Sequence, residues 1–124
     1  MALGALGQIH ISVTDLERSV AFYRDTLGIS HLFTVPGQPM AFFASGDVRL
    51  YLGRPESPDF TSRCVLYFTV SDIDAEAARL RAADLSVEEP HVVHRDGGTE
   101  LWMAALRDPD DHHIILMQER LRQK

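Results

Sequence analysis

Residues 12–16 read SVTDL and residues 69–73 read TVSDI, one five-residue pattern met twice, 57 positions apart. The likeness extends outward from both copies. On the N-terminal side Ile9, Ile11 and Val13 match Leu66, Phe68 and Val70, apolar at every second position as in a strand with one buried face. On the C-terminal side Leu16, Val20 and Tyr23 match Ile73, Ala77 and Leu80, the i, i+4, i+7 stripe of an amphipathic helix. Each junction carries helix-start signals. Thr14 with Glu17 fits a capping box, and Ser71 with Asp74 is its shorter relative. Asp15 and Asp72 stand where a carboxylate favours a helix N-terminus, so they read as caps rather than catalytic acids. Gly28 follows Leu27 as a helix terminator.

The repeat returns further along. Residues 47–52 read DVRLYL and residues 111–116 read DHHIIL, now 64 positions apart, so the second half holds a longer hairpin before its last strand. Each half reads as strand, helix, then three strands. In the first half these fall at 8–14, 16–27, 30–36, 39–45 and 47–53; in the second, at 64–70, 73–84, 86–94, 99–106 and 112–119. Turn formers separate them: Pro36-Gly37, Ser45-Gly46-Asp47, Asp96-Gly97-Gly98 and Asp108-Pro109-Asp110-Asp111. The chain therefore reads as one α+β domain of two βαβββ modules, at 6–53 and 64–119, joined by the proline-bearing linker 54–63. Each helix covers one face of its sheet. Two such sheets side by side make a curved, mixed-sheet trough, open to a ligand or a partner subunit.

Composition narrows the function. The 124 residues carry 12 Lys plus Arg against 18 Asp plus Glu, a formal net charge of −6. No basic footprint for nucleic acid or an anionic membrane is visible, and a cationic ligand is favoured weakly. The single cysteine, Cys64, rules out an internal disulfide or an all-cysteine metal site. The N-terminal stretch is a poor signal peptide, and no apolar run approaches a membrane span, so a cytoplasmic location is the default. There is no GxGxxG or phosphate-loop motif. His10, Ser12 and Asp15 alternate or cap, which argues against a nucleophilic triad, and Cys64 lacks an activating cation beyond Arg63. His31, His91, His94 and His112 fall near loops or strand ends and read as surface polar residues; Glu88, Glu89 and Glu100 read as solvated.

The run VTDLERSVAFYRDTLGI at 13–29 resembles the first module of the vicinal oxygen chelate superfamily, which includes glyoxalase I, extradiol dioxygenases, methylmalonyl-CoA epimerase and the bleomycin-resistance proteins. DPDDHHIIL at 108–116 resembles its closing signature, DPDGNxIEL. The resemblance spans nearly the whole chain. It implies a glyoxalase/bleomycin-resistance-like fold, commonly a homodimer, but no single activity.

In the metal enzymes of that superfamily, each module supplies ligands from its first and last strands. The first is a histidine seven residues before the capping aspartate, the second the glutamate of the IEL triplet. Carried onto this chain, the positions are Gln8, Tyr51, Val65 and Ile115. Two are aliphatic, and an amide and a phenol are poor ligands for a divalent first-row metal. No metal and no other cofactor is expected. A displaced site would have to use His10 and His113, with Glu119 as a distant third.

Strand alternation then sets the two faces. Ile9, Ile11, Val13, Leu50, Leu52, Leu66, Phe68, Val70, Ile114 and Leu116 face the helices. Gln8, His10, Ser12, Arg49, Tyr51, Val65, Tyr67, Thr69, His113, Ile115 and Met117 face the trough. Phe42, Phe43 and Trp102 add stacking surface or core packing. The expected ligand-binding set is Gln8, His10, Ser12, Arg49, Tyr51, Tyr67, Trp102, His113 and Ile115. The first expectation is metal-independent binding of a small, antibiotic-like organic molecule, aromatic and cationic, held by sequestration. The alternative is a lyase, isomerase or dioxygenase-like enzyme. There His10 would be the acid/base, Tyr51 or Tyr67 would orient the substrate, and Arg49 would neutralise a carboxylate.

Overall fold

The structure is a computed structural model that describes residues 2–122. The chain divides into two compact units, the first ending at Cys64 and the second beginning at Val65. The first holds β1 (Gln8–Ser12), α1 (Leu16–Ala21), β2 (Ser30–Thr34), β3 (Met40–Ser45) and β4 (Val48–Gly53). The second holds β5 (Val65–Thr69), α2 (Ile73–Ala82), β6 (His91–Asp96), β7 (Thr99–Arg107) and β8 (His113–Leu121). The sheet orders are β1-β4-β3-β2 and β5-β8-β7-β6. In each, the first strand runs parallel to the last and the remaining pairs are antiparallel. The fold class is α+β, with two four-stranded mixed sheets, as the doubled pattern implies.

Both helices begin on their aspartates. Asp15 Oδ1 accepts the Arg18 N–H at 3.2 Å, and Asp72 Oδ1 accepts the Ala75 N–H at 3.1 Å. The capping boxes expected of Thr14 and Ser71 do not form, because each aspartate lies one residue closer to the first turn. Thr14 Oγ1 instead accepts from the Arg18 guanidinium at 3.1 Å. Asp15→Ala and Asp72→Ala are each expected to cost about 1 kcal/mol, read as a lower denaturation midpoint with the fold retained.

The first helix changes pitch partway. After α1 the chain makes a π turn at Phe22–Thr26, closed by the Leu27 N–H on the Phe22 carbonyl at 2.8 Å. Two consecutive aromatics of this turn, Phe22 and Tyr23, are both buried. Gly28 ends the element at φ 79°, and the Ile29 N–H returns to the Tyr23 carbonyl. In the second unit Asp84 takes the left-handed position, at φ 66°.

The core of the first unit is Ile11, Val13, Val20, Tyr23, Ala41, Phe43, Leu50 and Leu52, lying between α1 and its sheet. That of the second is Ile73, Ala77, Leu80, Ala104, Leu106, Ile114 and Leu116. The strand expected at 86–94 starts only at His91, since Pro90 has no N–H to donate to a ladder. Register slips in both outer strands, between His31 and Phe33 in β2 and between Val92 and His94 in β6, so Leu32 and Val93 are bulged residues.

Candidate functional site

In the first unit, the sheet face away from α1 carries a row of rings. Register alone puts them there: His10 lies opposite Tyr51, Tyr51 opposite Phe42, and Phe42 opposite Phe33. One ring therefore comes from each strand. The centroids are 4.8 Å apart for His10–Tyr51, 5.1 Å for Tyr51–Phe42 and 4.9 Å for Phe42–Phe33. Tyr51 and Phe42 are stacked at 23°. Such pairs add about 0.5–1.5 kcal/mol beyond their area burial. The Arg49 guanidinium lies over two of the rings, 4.5 Å from the Phe42 centroid and 5.7 Å from that of Phe33.

Polar groups gather at the His10 end. His10 Nε2 lies 3.1 Å from Ser12 Oγ. Ser12 and Ser62 exchange bonds, each backbone N–H donating to the other's hydroxyl at 2.9 Å. The 3₁₀ turn Pro58–Phe60, capped by Ser57, leads the chain to that contact. Cys64 donates to the His10 carbonyl at 3.7 Å. Burial, and then the nearby Glu56 carboxylate, push the Tyr51 phenol above its ordinary pKa, so it keeps its proton.

Gly53 shapes the ladder. It follows Tyr51 by two positions on the same face, and a Cβ there would lie 2.7 Å from Tyr51 Cε1 and 2.7 Å from the Pro39 carbonyl oxygen. The absence of a side chain lets the tyrosine ring rest on the strand.

In the second unit Tyr67 lies opposite Ile115, and Val65 opposite His113, on the face away from α2. Trp102 lies on the other face. It is opposite Gln118, which shares the buried side of β8 with Ile114 and Leu116. The Gln118 amide oxygen accepts the Ile73 N–H at 2.9 Å, and the Arg120 guanidinium sits 4.7 Å from the Trp102 ring. The expected grouping of Trp102 with Tyr67, His113 and Ile115 is corrected by this register. Beside Trp102, the hydrogen bond from Arg95 first of all holds Glu100 below the usual carboxylate range. Glu100 is thus paired and partly covered rather than simply solvated.

The first unit brings Gln8, His10, Ser12, Arg49 and Tyr51 onto one face and adds Phe42, Phe33 and Ser62. Phe42 follows from alternation. Phe33 does not, because the Leu32 bulge reverses parity within β2. Nothing in the linker composition signals Ser62. Phe43 points to the core, with its ring 5.1 Å from His31. His31 is half-buried, with Nε2 2.9 Å from Thr34 Oγ1, and His112 is 2 % exposed, its N–H donated to Asp108. Both differ from the surface positions expected of them.

Two matched βαβββ units, one bearing a ring ladder and a neutral phenol, define a paired-module α+β protein. The chain belongs to the Glyoxalase/Bleomycin resistance protein/Dioxygenase superfamily, whose family model matches residues 5–116. It is similar to TnmS3, an antibiotic binding protein from Streptomyces sp. CB03234. The two are 26% identical, over 97% of this chain and 99% of that one, with a TM-score of 0.76. It shares its fold with a lactoylglutathione lyase from Agrobacterium tumefaciens (22% identity, 94% of each chain, TM-score 0.71). A catechol-2,3-dioxygenase of Bacillus subtilis (strain 168) is 31% identical, over 68% of this chain and 34% of the relative. The chain spans about a third of that relative's length.

Several superfamily members hold a divalent metal, and the residues here do not fit one. Val65 and Ile115 have no donor atom, Gln8 offers a neutral amide, and the Tyr51 phenol is made harder to ionise. Among the described residues no group of three or more His, Cys, Asp or Glu side chains gathers at ligating distance.

Proposed function

We propose that this chain is a metal-independent small-molecule-binding protein that takes a flat aromatic, antibiotic-like ligand on the ring ladder of its first unit and sequesters it. The observation that carries this reading is the row His10–Tyr51–Phe42–Phe33, with a guanidinium and hydroxyls at hand. Rings fixed in register by four strands are pre-organised, so a planar guest meets little ordering cost. The likeness to an antibiotic binding protein supports it. The donor set at the ligand positions, unsuited to a metal, supports the metal-independent part. The working assembly we propose is a homodimer, supported by Val65 and Tyr67, which stay 52% and 56% exposed in the second unit. A cytoplasmic setting belongs to the same proposal. Among the described residues no helix is long and apolar enough to cross a membrane.

The test is calorimetric titration of a panel of aromatic antibiotics into protein purified without chelator, repeated with chelator, the oligomeric state being followed by sedimentation. Micromolar binding that chelator leaves unchanged is expected. Failure of every compound to bind, or binding that needs added metal, overturns the reading. One contact favours a second reading, that of a lyase or isomerase. The His10–Ser12 pair beside Tyr51 has the reach of an acid/base group. Turnover lost in His10→Gln would support it.

A further inference from the structure

The ring ladder is not electrically even along its length. Arg49 lies over the Phe42 and Phe33 rings, while the acidic group nearest in effect, Glu56, acts on Tyr51. Among the described residues Arg49 forms no ion pair, unlike Arg24, Arg79, Arg81, Arg95, Arg107 and Arg120. In a chain of net charge −6, this places a cation without a carboxylate partner over two rings. Arg49 is solvent-exposed, and a guanidinium presents its N–H donors as a fork that can receive two oxygens at once.

Resting on the reading of the ladder as a binding site, we propose that Arg49 makes it selective for aromatic anions: a carboxylate or phenolate on a fused-ring body. The ring system packs on Phe33, which is 46% exposed at the open end of the ladder, and the anionic group meets the Arg49 N–H groups beside it. The weak preference for a cation read from overall composition is therefore reversed locally, because contact at a few ångströms outweighs a diffuse field screened over about 8 Å at physiological salt.

Three probes of one shape separate the terms: 2-naphthoate, 2-naphthalenemethanol and 2-naphthylmethylammonium. Titration at low salt is expected to give naphthoate about five-fold tighter than the alcohol, the size of a partly exposed charge contact, with the ammonium weakest. In Arg49→Gln the naphthoate and alcohol constants are expected to converge, and Arg49→Lys is expected to restore part of the gap. High salt should close it in the unaltered protein. Equal binding of all three probes, or preference for the ammonium, overturns the anion selectivity and leaves the stacking site standing. Binding of none overturns the site itself, and the selectivity with it. A circular dichroism melt of each variant guards against misfolding.

Discussion

Phe43→Ala is expected to destabilise the first unit by about 3–5 kcal/mol, whereas Phe42→Ala, one residue earlier, is expected to keep the fold and cost ligand affinity. Phe43 is fully buried, with its ring 6.0 Å from that of Tyr23 and 5.1 Å from His31. Truncation leaves a cavity among rings already fixed by α1 and β4, where collapse is difficult. Phe42 lies on the other face, stacked on Tyr51 and covered by Arg49. Its loss should cost nearer about 1 kcal/mol of stability and about tenfold in affinity for an aromatic ligand. Denaturant midpoints and calorimetry on both variants decide the matter. Similar losses of stability in the two would mean that strand alternation does not divide core from site in this unit.

Gly53→Ala is the second large effect. The added methyl would stand 2.7 Å from a backbone oxygen, that of Pro39, which cannot swing aside, and 2.7 Å from the Tyr51 ring. Relief requires the ring to leave its place against Phe42 or the Pro39 loop to move. The expected cost is about 1–3 kcal/mol, with a changed near-ultraviolet circular dichroism signal from the displaced tyrosine and loss of aromatic binding. An unchanged spectrum and unchanged binding would show that the ladder does not depend on this close approach.

The doubled architecture is readable in the chain because a period-2 pattern running into a period-3.6 pattern occurs twice with the same aspartate at the junction. Ile11, Val13, Val20 and Tyr23 in the first unit, and Ile73, Ala77 and Leu80 in the second, are buried as that pattern requires. Arg49 and Tyr51 reach the face away from α1 for the same reason: alternation is strict within β4. Legibility fails where alternation is interrupted. The π turn and the two outer-strand bulges insert residues whose effect on phase no local composition announces, so the place of Phe33 in the ladder could not be read. The sequence leaves Trp102 open between stacking surface and core packing, because β7 is long and parity within it depends on where counting begins; the pairing with Gln118 puts it on the α2 side. His112 looks like a surface residue in a polar run, yet the Asp108 carboxylate folds that loop inward to meet its N–H.

The bulges at Leu32 and Val93 have a bearing on how the molecule behaves in concentrated solution. Both sit on strands that border their sheets, where bare N–H and C=O groups invite recruitment of a foreign chain. An incoming strand could keep step with β2 for two residues, Ser30 and His31, before the surplus residue threw it out of phase. The same interruption meets it at Val93 in β6. The two kinks interrupt that template on β2 and β6, and the one at Leu32 also turns the Phe33 ring onto the face that carries the ladder.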